Sequence, residues 1–163
     1  MTVGAGTKWR ALALVGVAEL FAMTLWFSGS AVGPELAEMW NLSATETAWL
    51  TNAVQLGFVV GALLSASLTI ADVVRPRYLF AGCAFAGAVA TALIAGVVES
   101  GFPAIGLRFL TGVALAGVYP TGMKMMASWF VQGRGLAIGV LVGALTVGSA
   151  SPHLLRAVGG IGQ

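Results

Sequence analysis

LRFLTGVALAGVYPTGMKMMASWFVQGRGLAIGVLVGALTVGSASPHLL, residues 107–155, consists of two long apolar segments joined by the short polar turn 132–134. Arg108 lies about one turn inside the first segment. A charge in the middle of a bilayer costs roughly 2.5–3.5 kcal/mol, and a residue that carries one usually faces a cavity, a partner or water. The cost is lower near the end of a span, where a snorkelling arginine is the alternative to a functional one.

The whole chain is as apolar as this stretch. Of its 163 residues, 58% are hydrophobic and 9% are charged, whereas soluble domains carry roughly 25% charged residues. Such a chain cannot cover itself with polar surface, so it is predicted to be an integral membrane protein with the lipid bilayer as its first partner. The net charge of +2 is too small to suggest a nucleic-acid partner.

The cysteine content predicts no cofactor. Cys83 is the single cysteine and lies in an apolar run, so it can form neither an internal disulfide nor a metal cluster. We expect it to be a small packing residue.

Hydropathy predicts an all-α membrane protein with five spans, each of about the 20 residues that a helix needs to cross a bilayer. The predicted spans cover about residues 11–33, 47–71, 78–98, 104–126 and 135–157. The first loop is expected to begin at Pro34 and to be acidic, with Glu35, Glu38 and Glu46. Residues 72–77 form a tight polar break, and residues 99–103 form the next turn.

The distribution of charge predicts the orientation. One side of the layout carries the basic residues Lys8, Arg10, Arg75, Arg77, Lys124 and Arg134, and the other carries Glu35, Glu38, Glu46 and Glu99. By the positive-inside rule, the N-terminus is expected to be cytoplasmic, in the inner (plasma) membrane of the cell. Arg156 is the one basic end-residue against the pattern.

Small residues at intervals of four predict close helix packing. One stripe, in the second span, consists of Ala53, Gly57, Gly61 and Ser65, and another, in the fifth, consists of Gly135, Gly139 and Gly143. Small residues at this spacing allow backbones to approach within a membrane. These stripes predict a tight bundle and carry no information on function.

Glu19 is the one carboxyl predicted inside a span. Met23, Trp26 and Ser30 follow it at helical spacing and share its face. A carboxyl in this position is either a structural group hydrogen-bonded to a neighbouring helix or a proton-binding group. For Asn52 and Gln55, in the second span, a hydrogen bond to another helix and a position in a cavity are equally supported.

The spacing along the spans also predicts relations between the candidate residues. Tyr119 follows Arg108 by eleven residues, about three helical turns, so the two should share a face with Gly112. Glu19 and Arg108 should lie roughly 15 Å apart along the membrane normal, too far for a direct ion pair. Lys124 should point away from the Arg108 face and snorkel to the inner surface.

Several of these residues carry a family resemblance. The sequence from Arg108 to Gly112 resembles the arginine-plus-glycine motif of the major facilitator superfamily of secondary transporters. Asp72 and Arg77 match that family's signature cytoplasmic loop, whose two glycine positions are occupied here by Leu68 and Arg75. The resemblance implies a six-helix half of which this chain, residues 1–163, holds the first five helices, and it implies a gating loop at Asp72, Arg75 and Arg77.

The resemblance also implies a function. The chain would be part of a secondary active transporter, not an enzyme, and would move a small-molecule substrate with the missing remainder of the transporter. Proton coupling is one option, and the expected substrate and proton pathway consists of Glu19, Trp26, Gln55, Arg108 and Tyr119. The family's antiporter motif ends in Gly-Pro, whereas three residues separate Gly148 from Pro152 here.

Two alternatives belong to other classes of protein. The first is a small structural membrane subunit, in which Glu19 and Arg108 can be neutralised without loss of function. The second is an intramembrane serine hydrolase that uses Ser28 or Ser30 with His153, because such enzymes need a serine within reach of a base.

Overall fold

The computed structural model describes residues 5–160, which fold into seven helices without a strand: α1 (Ala5–Met39), α2 (Ala44–Ser67), α3 (Ile70–Val73), α4 (Pro76–Gly96), α5 (Gly101–Leu115), α6 (Tyr119–Trp129) and α7 (Arg134–Gly160). Five helical segments in this part of the chain are long and apolar enough to cross a membrane, and α5 and α6 together make the fourth. The predicted all-α fold with five spans is confirmed.

The first helix is longer than its predicted span. It continues through Pro34 to Met39, so the prediction that a loop begins at Pro34 was wrong. A proline inside a helix removes one backbone hydrogen bond, a loss that helices in membranes tolerate. Glu35 and Glu38 therefore lie on the last turns of α1.

The start of α2 is fixed by a capping box, which also places Glu46 inside the helix instead of in a loop. The Ser43 hydroxyl accepts a hydrogen bond from the Glu46 backbone N–H at 3.3 Å, and the Ser43 N–H donates to the Glu46 carboxylate at 2.9 Å. Two backbone donors that the helix leaves free at its N-terminus are satisfied in this way.

The fourth span is broken, although its sequence predicts one continuous helix. Residues 116–118 form a turn in which Gly117 and Val118 donate to carbonyls three residues back, at 2.9 and 3.0 Å. Pro120 has no N–H to donate to the carbonyl of Ala116, so the α-helical ladder cannot run through this point. The prediction that Tyr119 and Arg108 share one helical face assumed a continuous helix, and this assumption was wrong.

Helices α2 and α5 approach each other through glycines. A side chain at Gly57 would collide with the Phe109 carbonyl, and one at Gly112 would collide with the Val54 carbonyl. Gly61 faces the Val113 carbonyl in the same way. The close packing predicted from the stripe in the second span is thus present between α2 and α5.

The prediction for the stripe in the fifth span was wrong. A Cβ atom at Gly135, Gly139 or Gly143 would meet nothing within 4 Å. Helix α7 instead packs on α1 through Gly148, where a Cβ would lie 2.7 Å from the Leu20 carbonyl. Spacing by four defines a face of a helix, but it does not say which face meets a neighbour.

Two apolar clusters hold the helices together. Near one end, α1, α6 and α7 meet at Leu12, Met126, Phe130, Ala137 and Leu141. Further along α1, the second cluster joins it to α4 and to the end of α5 through Ala22, Met23, Phe80, Leu115 and Val118. The candidate site lies around this second cluster.

Candidate functional site

Arg108, on α5, is held by backbone carbonyls of two other helices. Its Nε donates to the Leu50 carbonyl of α2 at 3.1 Å, and Nη1 donates to the Leu25 carbonyl of α1 at 2.7 Å. Nη2 donates to the Trp26 carbonyl. The residue is only 2% exposed. Three charge-assisted hydrogen bonds spread the charge of the guanidinium over carbonyl dipoles, which lets a cation lie inside the bundle.

Gly29 makes room for the guanidinium, and the sequence analysis missed it. A Cβ at this position would lie 2.7 Å from Nε and 2.8 Å from Cζ of Arg108. A glycine inside a long apolar helix is a signal of close approach, but nothing in the sequence says that its neighbour is eighty residues away.

Glu19, on α1, is buried without a partner. The residue has no exposed surface, and neither carboxyl oxygen has a hydrogen-bond partner within residues 5–160. The carboxyl lies against Gly122 of α6, where a side chain would collide with it. Gly122 was not singled out in the sequence, because a glycine 103 positions away along the chain gives no sign of this contact.

Trp26 and Tyr119 line one cavity. The cavity has a volume of about 240 Å³ and is lined by Met23, Trp26, Phe27, Phe58, Tyr119 and Leu145. The ring of Trp26 packs edge-on against Phe58, with 5.0 Å between centroids. Glu19 is one helical turn from Met23 and thus lies just behind this aromatic wall.

Arg108 lines a different cavity. That cavity, of about 610 Å³, lies between α1, α2, α4 and α5, and Ser28, Gly29, Leu50 and Thr91 line it with Arg108. Tyr119 does not line this cavity, and Arg108 does not line the aromatic one. Trp26 connects them, because its carbonyl accepts from Arg108 while its indole lines the aromatic cavity.

Gln55 lies outside both cavities. Its side chain is exposed on α2, and it does not line either the cavity of Arg108 or that of Tyr119. Asn52 is exposed as well. Neither amide lines the cavity of Arg108 or that of Tyr119.

The predicted gating loop contains a helical turn, α3, and an ion pair. Asp72 accepts from Lys124 Nζ at 2.5 Å, and the same ammonium donates to the Ala71 carbonyl at 2.7 Å. Both side chains are partly exposed, at 46% for Lys124 and 73% for Asp72, so the ammonium of Lys124 extends to the surface at this loop. Arg77 stacks over the ring of Tyr78 at 4.6 Å, and Arg75 is exposed and precedes the first residue of α4.

The two serines of the hydrolase alternative have other hydrogen-bond acceptors. Ser28 and Ser30 each donate to a carbonyl three residues back in α1, at 2.9 and 2.8 Å. His153 lies exposed on α7. The hydrogen bonds of the described chain therefore place neither hydroxyl on a base, which nucleophilic catalysis requires.

Residues 5–160 thus form a polytopic helical bundle with a buried arginine, a buried acid and an aromatic cavity. The model of the Major Facilitator Superfamily matches residues 14–151. The chain belongs to this family, whose members are typically membrane transporters and not enzymes. Comparisons with curated proteins and with solved structures gave no match.

Proposed function

We propose that the chain is the N-terminal part of a proton-coupled secondary transporter for a small solute, with Glu19 as the group that takes up the proton. The observation that carries this proposal is the complete burial of Glu19, with neither carboxyl oxygen partnered within residues 5–160. An ionised carboxylate in this place would be a buried charge without a counter-ion or a donor, which is costly. Proton uptake removes that cost.

The contact between Glu19 and Gly122 gives the proton a way to act on structure. In the uncharged form the carboxyl can lie against the α6 backbone at Gly122. A carboxylate needs water or a donor, and either must enter between α1 and α6. Loss of the proton therefore favours separation of these two helices, which is the kind of two-state element that alternating access needs.

We assign the aromatic cavity at Trp26 and Tyr119 to the solute. It adjoins Glu19 through Met23, so a conformational change around the acid reaches its wall directly. Arg108 is assigned a positioning role. Three of its N–H groups hold α1 and α2, and two of its acceptors follow Glu19 on the same helix by six and seven residues. Arg108 thus senses a shift of α1.

The remaining parts of the proposal concern the complete transporter. The five spans form part of a half with a cytoplasmic N-terminus, as the asymmetry of the basic residues favours. The gating loop at Asp72, Arg75 and Arg77 then lies on the cytoplasmic side, and Gln55 faces the other half. Two halves that move about a central site carry transport in such proteins.

The experiment that tests the proposal compares Glu19→Gln with Glu38→Gln, a matched exposed acid of the same helix. Infrared spectra of the purified chain should show the carbonyl band of a protonated carboxyl that fades as the medium is made alkaline, and Glu19→Gln alone should lack it. In the complete transporter, Glu19→Gln should abolish accumulation driven by a pH gradient while leaving solute exchange. A band that never fades while the chain stays folded would make Glu19 a structural carboxyl.

One observation favours the alternative of a structural subunit. Arg108 is committed to carbonyls of its own chain, as a purely structural arginine would be. The two functions separate when Glu19 and Arg108 are neutralised in turn, because a structural subunit keeps its function as long as the bundle folds. Loss of transport by a folded Glu19→Gln variant excludes that alternative.

A further inference from the structure

A long groove lies on the outer surface of the bundle, away from Glu19 and Arg108. Helices α2 and α4 both pack on α5 but scarcely touch each other, so α5 forms the floor between two walls. The groove has a volume of about 730 Å³. Small residues keep it open, among them Gly61 on α2, Gly82 and Ala86 on α4, and Ala114 and Gly117 on the fourth span.

The groove has the length and the chemistry to hold an acyl chain. Along α4 its lining runs from Leu79 to Leu93, which is a rise of about fourteen residue steps, or about 21 Å of helix. One leaflet of the hydrocarbon core is about 15 Å thick, half of the whole. The lining contains no charged side chain, and its walls are made by large apolar ones such as Leu64, Phe85 and Leu110.

One end of the groove is basic. Leu68 and Ile70 close it at the connection between α2 and α4, where Arg75 and Arg77 are exposed. The acid nearest to them along the chain, Asp72, is already paired with Lys124. Arg75 and Arg77 therefore give the connection between α2 and α4 a local excess of positive charge, and the Arg77 guanidinium also donates to the neutral Tyr78 hydroxyl at 2.9 Å.

We propose that this groove binds one phospholipid with an anionic headgroup, whose phosphate lies at Arg75 and Arg77 and one of whose two acyl chains lies along α4. A second copy of the chain, or the rest of the transporter, could pack on the groove through apolar contacts alone and would not need the arginines. The arginines at the mouth favour a lipid, because guanidinium binds phosphate in a bidentate manner and basic pockets between membrane helices bind anionic headgroups. The proposal does not depend on the transport mechanism.

The test uses the purified 163-residue chain in nanodiscs of phosphatidylglycerol and phosphatidylcholine in equal amounts, followed by mass spectrometry of the intact complex. Each arginine near a membrane surface is worth about 1 kcal/mol toward an anionic lipid, so the two together should enrich phosphatidylglycerol about 30-fold. Arg75→Gln or Arg77→Gln should each lower this enrichment about fivefold. Arg134→Gln, at the start of α7, is the control and should leave it unchanged.

A second pair of variants tests the groove itself. A Cβ at Gly82 meets nothing within 4 Å, so Gly82→Leu can fill the groove without a collision and should lose both lipids. Gly139→Leu is the matched control, since Gly139 is equally free on α7. Circular dichroism must show both variants to be folded. Lipid retained equally by both variants, retention of the two lipids in their bulk ratio, or a lipid-free dimer would each overturn the proposal.

Discussion

Arg108 and Glu19 are two buried ionisable side chains of one bundle, and they differ in every other respect. Arg108 is 2% exposed and donates to three carbonyls, whereas Glu19 is fully buried and neither of its oxygens has a partner in residues 5–160. Burial costs a charged group far less when hydrogen bonds replace its water. Hydrogen bonds thus compensate for the burial of the Arg108 guanidinium, whereas none within residues 5–160 compensates for the burial of the Glu19 carboxyl.

From this difference we expect the two side chains to have different roles. The Arg108 guanidinium fixes α5 to α1 and α2, since any movement of α1 or α2 against α5 breaks hydrogen bonds. Under the proposed function, Glu19 is the group whose protonation changes the structure, because a buried charge without a partner in residues 5–160 is costly and a neutral carboxyl is not. Proteins keep unfavourable groups of this kind mainly at functional sites. Three substitutions test this contrast.

Arg108→Met should have the largest effect. It removes all three hydrogen bonds, and bonds to a charged group are worth about 1.5–3 kcal/mol each before the cost of burying the arginine is subtracted. We expect the free energy of unfolding in detergent to fall by on the order of 3 kcal/mol. Denaturant titration followed by circular dichroism measures it. Arg134→Met, which changes an exposed arginine, is the control and should change little.

Glu19→Met should have the opposite sign. It replaces an unsatisfied polar group by an apolar one of similar length, and such a group costs about 1–3 kcal/mol when left without a partner. The free energy of unfolding should rise by about 1–2 kcal/mol while proton-driven transport is lost. A decrease in stability, measured by the same titration, would mean that Glu19 makes a stabilising contact and would remove the contrast.

Lys124→Met should have the smallest effect. Lys124 and Asp72 form an ion pair at 2.5 Å, but their side chains are 46% and 73% exposed, and solvent screens such pairs to about 0–1 kcal/mol. We expect a loss below about 1 kcal/mol that diminishes further in high salt. A loss as large as that of Arg108→Met would show that burial does not set the scale of these effects.

The sequence predicted the number of spans and the family, because hydropathy and span length act locally along the chain. It did not predict the break in the fourth span. Pro120 lacks the N–H that a continuous helix needs, but it lies in an uninterrupted apolar run, which was interpreted as one helix. It also predicted that the face with Gly135, Gly139 and Gly143 packs closely on another helix, but within the described residues nothing lies within 4 Å of a Cβ at these positions. The spacing of residues shows which of them share a face of a helix, but it does not show which other helix contacts that face.

The sequence singles out Arg108 and Glu19 of the candidate site, but it does not show which residues surround them. Arg108 and Glu19 stand out because charges are rare in apolar spans. Their surroundings leave no trace in the sequence, since every residue has a carbonyl and any of them can accept from Arg108. Gly29 and Gly122, which make room for the two side chains, look like the other glycines of a chain that contains 23.

The ties of Arg108 also set an order of assembly. A ribosome delivers this chain from its N-terminus, so α1 and α2 emerge before α5 and bring the carbonyls of Leu25, Trp26 and Leu50 into the membrane first. When the fourth span leaves the translocon, the acceptors for its arginine are already in place. The isolated fourth span would carry that charge into lipid alone, at a cost of up to roughly 2.5–3.5 kcal/mol. Insertion of this span is thus a cooperative event, in which early helices act as a template for a later one.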